Sequence, residues 1–488
     1  MDNFGDFRLF DQVIPSSTEV KYLGVIIDSK LQWKQHARYC TLKSTRALMA
    51  CRSVIGKNWG LRPAALLWIY RLIVLPMLSY GCLVWWHRLE VKSYVKIFSR
   101  VQRLACLMST GAMRSTPTLG MELILGIIPV DIHIHSLAIK DYFRIKTIGQ
   151  WKGTLTDVGH QAISGASDVL PLLDQPSDLL PKETTAGPSW TTIYPERSQW
   201  IDGSCSSIDP LDICCFTDGS RMETPSGVST GSGIVIGNNR ISTNLGRFTS
   251  VFQAEIFAIS MCVHCLLEKG VRGKGISICS DSQASLMALD SHLIVSKLVK
   301  YCISLLHDLC QTNVVKLVWV PGHADIEGNE LADLLARAGS LRPFIGPEPV
   351  IGIPKASVFL SIKNWVDGMF ASRWDEEVGC RQTKLFLPSS KKKWSSFLLK
   401  LNKSRLRQCV QVLTGHSALG YHLHKMGLSD SPDCSVCNVR ESAEHFLCSC
   451  TIWCDLRLRI FGSKYVAITD IDKVTKLVRF VVESEKLL

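Results

Sequence analysis

The stretch Ile213-Cys214-Cys215-Phe216-Thr217-Asp218-Gly219-Ser220 opens with a four-residue apolar run and ends in a carboxylate followed by glycine. A short apolar run bounded by a turn signal predicts a buried strand, and a carboxylate at its end points out of the sheet edge. The same device recurs downstream. Ile276-Ser277-Ile278-Cys279 ends in Ser280-Asp281-Ser282, just before a helical pattern. Between the two, Gly231 to Ile236 and Arg240 to Phe248 predict two strands of a meander. Phe252 to Glu268, FQAEIFAISMCVHCLLE, carries apolar residues at helical spacing, with Glu255 in its first turn. Val315 to Val320 predicts a fifth strand and runs into Pro321-Gly322-His323. Glu327-Gly328-Asn329-Glu330-Leu331-Ala332-Asp333 then opens a last helix, on which Glu330 and Asp333 share a face. Alternating strands and helices of this kind predict an α/β unit over 211–340, built on a mixed five-stranded sheet.

Taken singly, each acid has an ordinary explanation; Glu255, for instance, suits a helix dipole. Taken together, two strand-end aspartates (Asp218, Asp281), one helical glutamate (Glu255) and one helical aspartate (Asp333) can gather at one edge of an open sheet. Four such groups repel one another unless divalent cations neutralise them. Mg²⁺ is the natural occupant because it keeps waters and shares substrate phosphates, with Mn²⁺ as a substitute. Two such ions about 4 Å apart can clamp the attacking and leaving oxygens of an in-line phosphoryl displacement.

The segments FTDGS (216–220), QAEIFAI (253–259), SDSQASL (280–286) and WVPGHADIEGNELADLLAR (319–337) resemble the ordered motifs of type 1 ribonuclease H. The resemblance covers essentially the whole of 211–340. It implies hydrolysis of the RNA strand of an RNA–DNA hybrid, leaving 3′-hydroxyl and 5′-phosphate ends. It also implies that Asp218 bridges both metals. Glu255 and Asp281 would complete one metal site, with Glu255 also near the RNA 2′-hydroxyl, and Asp333 would complete the other. His323 is expected to shuttle a proton or help release product. Asn329 either positions the nucleic acid, orients the loop, or caps the helix. Some family members carry a basic helix for gripping the hybrid. Here Ile294 to Gln311 reads as one mainly apolar helix with only Lys297 and Lys300, so grip is expected from flanking regions.

The 488 residues carry a formal charge of +12, which suits a polyanionic partner and many ordinary proteins alike. The 19 cysteines are scattered, several inside apolar helical patterns, which argues for reduced thiols plus one metal site. The opening MDNFGDFRLF lacks a basic region followed by an apolar core, so no signal peptide is expected. An intracellular chain, cytoplasmic or nuclear, is the expectation. Ala65 to Trp86 is long and apolar, but Arg71 inside it would cost about 2.5–3.5 kcal/mol at a helix centre in lipid, and Pro76 would break it. A buried helix pair is expected there, with no membrane partner. Four blocks emerge: 1–150, a Ser/Thr/Gly/Pro-rich linker at 151–210, the α/β unit at 211–340, and a basic helical block at 350–488.

In the first block a strand-like run, Val20 to Asp28, leads into Leu31-Gln32-Trp33-Lys34-Gln35-His36. This resembles the late palm of non-LTR (LINE-like) retrotransposon reverse transcriptases. Pro76 to Gly81, Trp85-Trp86, Arg100 to Arg103 and Thr116-Pro117-Thr118 look like the thumb and connection that follow; a plain helical domain is the alternative. The tyrosine–x–aspartate–aspartate motif of a polymerase is absent from the chain, so no polymerase activity is expected. In the last block, Cys434-x₂-Cys437-x₇-His445-x₄-Cys450 has the spacing of a closed structural Zn²⁺ site. Cys448 could replace Cys450, and Cys454 lies close by. Thr414-Gly415-His416, Ser431-Pro432-Asp433-Cys434 and Glu444-His445 resemble the tail of the same polyproteins. Lys391-Lys392-Lys393-Trp394, with Phe397, Lys400, Lys403, Arg405 and Arg407, either binds phosphates and stacks bases or is the polar face of a helix. The chain as a whole resembles the C-terminal part of a non-LTR retrotransposon polyprotein. The rival reading is a non-catalytic nucleic-acid-binding remnant of such an element.

Overall fold

A computed structural model describes residues 8–10, 12–13, 17–54, 56, 60–149, 170–185, 187–224, 227–389, 392–471 and 473–487. The chain forms two compact units. Tyr142–Lys363 is one, and Met1–Asp141 together with Asn364–Leu488 is the other. The first and last blocks of the sequence reading therefore share one unit. Residues 151–169 of the expected linker lie outside the described residues, as does Lys391.

The unit at 142–363 is built on a six-stranded mixed sheet. Its strands are β2 (Thr191–Ile193), β3 (Ile213–Thr224), β4 (Gly227–Ile236), β5 (Asn239–Gly246), β6 (Gly275–Ser280) and β8 (Val314–Trp319), in the order β2-β8-β6-β3-β4-β5. β3, β4 and β5 form an antiparallel meander, while β6, β8 and β2 run parallel to β3. The sixth strand corrects the five-stranded expectation. Thr191–Ile193 is only three residues long and lies in Ser/Thr/Gly/Pro-rich sequence, so only its pairing with Lys316–Val318 reveals it. Two further strands, β1 (Leu179–Thr184) and β7 (Leu293–Ser296), pair with each other. Consequently the apolar run from Ile294 is not one helix; the helix starts at Lys297, after β7.

Helices α1 (Val251–Glu268), α2 (Lys297–Cys310) and α3 (Glu327–Leu341) cover the sheet. Ser250 caps α1 through a reciprocal bond with Gln253. By length and composition α1 is apolar enough to cross a membrane. Here Ile256, Ile259, Val263 and Leu266 are spent on the core with Ile234, Ile278 and Leu317. Two glycines let helices lie directly on strands. A Cβ at Gly219 would come 2.6 Å from the Glu255 nitrogen, and one at Gly233 would collide with the Ala332 carbonyl of α3. The expected linker contributes more than a connection. Buried Asp178 accepts from Leu298 N–H (2.9 Å), Ser296 Oγ (2.8 Å) and Gln253 Nε2 (3.2 Å), tying the starts of α1 and α2 together.

In the other unit the run Val20 to Asp28 is a hairpin rather than a single strand. Glu19–Tyr22 pairs with Val25–Asp28 across a turn in which Leu23 and Gly24 take φ of 46° and 85°. Asp28 then accepts the backbone N–H groups of Lys30, Gln32 and Trp33 and starts the helix Lys34–Ala50. Ala65 to Trp86 breaks into short helical pieces bent by 53°, with Tyr70, Trp85 and Trp86 fully buried. Trp394 is buried in the core, so the base-stacking role considered for it is excluded. Two buried acids lie where early and late segments meet. Asp131 accepts both terminal nitrogens of Arg373, at 2.8 and 2.7 Å. Burial pushes the Asp131 carboxyl up, and Arg373 more than offsets this, leaving it below its ordinary value. Glu122 lacks such a fork. Its partner is the Gln102 amide, and burial pushes its carboxyl up to about 8.

An acid whose folded-state pKa is raised loses stability for its fold as pH climbs above its unfolded value, because only the unfolded chain ionises freely. Wild type should therefore unfold more easily at pH 8 than at pH 5 because of Glu122. Glu122→Gln should remove that part, gaining a few kcal/mol over wild type at pH 8 and little at pH 5. Urea unfolding at both pH values measures the difference, and an equal gain at both would contradict this account.

Candidate active site and cysteine–histidine cluster

The strand register creates the site. Ser280 of β6 lies opposite Thr217 of β3, so Asp281, just past the end of β6, comes level with Asp218, which is not at a strand end as expected but lies within β3, opposite Gly233 of β4. Gly219 brings α1 close enough that Glu255, from the first turns of the helix, faces both aspartates. Ligand oxygens of Asp218, Glu255 and Asp281 lie within 4.8 Å of one another. Glu255 is held by the Gly219 N–H and by Asp218, yet its Oε2 is buried without a partner.

Electrostatics follow from that crowding. Burial, then the charges of Asp281 and Asp333, push the Asp218 carboxyl up to about 7. Burial, Asp218 and Asp281 push Glu255 well above its ordinary range. Asp281 is raised by burial and by Asp333, while His323 and the Asn329 amide pull the other way. A dry cluster of acid oxygens with one orphaned oxygen matches the all-oxygen donor set that hard divalent cations take.

The remaining predicted residues lie beside this cluster. α3 carries Asp333, which groups with His323 and Glu330 within 4.8 Å rather than with the other three acids. His323 is exposed in the Pro321–Ile326 loop, with φ 52°, and the loop approaches Asp281 closely enough that a Cβ at Gly322 would come 2.7 Å from its Oδ2. Asn329 is not the helix cap, a position filled by Ile326; it is buried and hydrogen-bonded to Asp281. Three participants were not picked out from sequence as site residues. Glu330 joins His323 and Asp333, and the helical spacing of Glu330 and Asp333 was its only signal. Trp319 Nε1 donates to the Asp281 carbonyl at 3.1 Å. Gln253 ties α1 to Asp178 and to the Gly352 carbonyl (2.9 Å). These last two open the motifs at 253–259 and 319–337, but nothing in those motifs marked their roles.

In the other unit, Cys434, Cys437, His445 and Cys450 also bring ligand atoms within 4.8 Å. The Sγ atoms of Cys434 and Cys437 each lie 3.9 Å from that of Cys450. Two Zn–S bonds of about 2.3 Å at a tetrahedral angle separate sulfurs by roughly 3.8 Å. His445 Nδ1 contacts Ser449 Oγ, while its Nε2 is buried and unpartnered. The donor set therefore fits a four-coordinate zinc, with Cys450 rather than Cys448 in the group.

Because a carboxylate must be ionised to hold a cation, affinity should follow the raised pKa values. Mn²⁺ binding to the Asp218 cluster should strengthen on the order of tenfold from pH 6 to pH 8, the change in ionised fraction of an acid titrating near 7. Electron paramagnetic resonance of free Mn²⁺ would record it. Affinity that is flat across this range would show the carboxylates to be ordinary.

Residues 211–341 match the family model for RNase H. The chain is 28% identical over 137 residues to the Pol polyprotein of the type-1 retrotransposable element R1 of Bradysia coprophila, covering 28% of this chain and 14% of that protein. It is 27% identical over 128 residues to the R1 3 Pol polyprotein of Nasonia vitripennis, covering 25% and 33%. The matches thus span well under half the length of these relatives. Among solved structures, a foamy viral protease-reverse transcriptase in complex with dsDNA aligns at 23% identity with a TM-score of 0.23, covering 28% of this chain and 99% of that chain. With a mixed sheet and flanking helices over the matched residues, the chain carries an RNase H domain and is homologous to the Pol polyproteins of R1 non-LTR retrotransposons.

Proposed function

We propose that this chain is an endoribonuclease of the type 1 ribonuclease H class that hydrolyses the RNA strand of an RNA–DNA hybrid. The observation that carries the reading is the convergence of Asp218, Glu255 and Asp281 oxygens within 4.8 Å, with Glu255 Oε2 buried and unpartnered. Two divalent cations, Mg²⁺ by the oxygen donor set, would supply charge neutralisation and Lewis acidity for an in-line phosphoryl displacement. Asp218, Glu255 and Asp281 would hold one position, and Asp333 would complete the other with Asp218. The Asn329 amide keeps the Asp281 carboxylate oriented. His323, exposed on its loop, is placed to take or give a proton at the solvent side. Choice of RNA over DNA would rest on contact with the 2′-hydroxyl, near Glu255.

The basic charge supports a nucleic-acid partner. Residues 29–141 contain sixteen Lys and Arg but only four acids, Glu90, Glu122, Asp131 and Asp141. Glu122 and Asp131 are buried, so solvent sees mostly cations there, the surface that phosphates seek. These helices would grip the hybrid without polymerising, since the chain lacks the paired aspartates of a polymerase. Zn²⁺ on Cys434, Cys437, His445 and Cys450 would staple the tail of the same unit.

Purified protein with Mg²⁺ should release short RNA fragments from a labelled hybrid and leave the DNA strand intact. Asp218→Asn and Asp281→Asn should each lower the rate by at least about a hundredfold, the scale of removing a group that stabilises charge at the reacting phosphate. Equal rates in all three proteins would sink the assignment. For the tail, one zinc per chain is expected by colorimetric release. Cys450→Ser should lose it and Cys448→Ser should keep it; the reverse pattern would reassign the ligand.

A further inference from the structure

Of the four carboxylates, Asp333 is the one with a cationic side chain on it among the described residues. Arg337, one turn further along α3, donates from Nε to Oδ1 at 2.8 Å, and a terminal nitrogen stands 2.8 Å from Oδ2. The guanidinium thus lies against both oxygens of the carboxylate. Asp218 and Glu255 share a hydrogen bond with each other instead. The division between acids follows the same line: three gather within 4.8 Å, and Asp333 groups separately with His323 and Glu330.

We propose that Arg337 is a positioning residue that latches Asp333. It holds the carboxylate until a divalent cation displaces the guanidinium, so that filling the Asp333 position carries a cost that the Asp218–Glu255–Asp281 position does not. The proposal rests on the ribonuclease reading above. The latch is releasable because it lies in solvent: the Arg337 side chain is 48% exposed and that of Asp333 21%. A pair four residues apart on a helix, with its arginine in solvent and its aspartate partly so, holds weakly and yields to a doubly charged competitor. Arg337 opposes the second cation in two ways, by occupying both Asp333 oxygens and by placing a like charge beside them. Freed guanidinium needs no new partner, since water satisfies it at that exposure.

The test is a Mn²⁺ titration of the full chain, read by the resonance of the free ion, on wild type, Arg337→Ala, Arg337→Gln and Asp333→Asn. Asp333→Asn identifies which binding step belongs to Asp333. That step should tighten about two- to fivefold in Arg337→Ala, the equilibrium worth of an exposed ion pair. Arg337→Gln, which keeps the aliphatic stem, should tighten it similarly and carries the test if the alanine variant unfolds. The step that survives in Asp333→Asn should not change. An unaltered Asp333 step, or equal tightening of both steps, overturns the latch. Hybrid cleavage by wild type, run alongside, separates the failures. Cleavage without the Arg337 effect removes the latch alone. No cleavage and no Asp333-dependent step removes both the latch and the ribonuclease reading.

Discussion

The α/β unit is organised around a repulsion. Three acids converge where β6 ends beside the middle of β3, and their burial and mutual charge are unfavourable without a counter-charge. Asp218 is buried and raised to about 7, and Glu255 is raised well above its ordinary range by burial and by its neighbours' charges. The fold forces this arrangement with rigid means: a parallel register that levels Thr217 with Ser280, and a glycine that admits a helix against the strand. A protein selected only for stability gains nothing from such a cluster, since replacing one carboxylate by an amide would relieve it. The crowding falls on the two central strands of the sheet, and it is what the proposed cations would relieve.

The supports of the site reach beyond the matched family region. Asp178 and Gly352 flank the RNase H match at 211–341 on either side, yet both bond to Gln253, two residues from Glu255. Trp200 and Ile208 pack against Cys279, Val318 and Val320 beneath the same sheet end. The flanks thus finish the core rather than merely connect to it.

What could be read from sequence is what has a local signature. The strand end at Asp281 and the helical spacing that carries Glu255 showed in the residue pattern, and the four acids with His323 sat in motifs recognisable in order, but Asp218 read as a strand end although its strand runs on to Thr224. The six-strand sheet did not, because Thr191–Ile193 is defined by its partner and not by its own alternation. The hairpin at Glu19–Asp28 read as one strand because Leu23 disguises a turn that its backbone makes with positive φ. Trp394 read as a candidate stacking residue because burial is invisible in a run of lysines. The ion pair on Asp333 did not show either, because an arginine four residues later on a helix is too common to signal one.

Arg373 reaches Asp131 across 242 residues of chain. In a growing polypeptide this ordering in sequence becomes an ordering in time. At about 5–20 residues per second, synthesis of that interval takes roughly 12–48 s. Throughout it Asp131 and the apolar helices around it have emerged, and the segment that completes their core has not. The unit between can fold during the wait. The outer unit is left open for tens of seconds with an uncapped acid and bare hydrophobic faces, which is the state that holdase chaperones recognise.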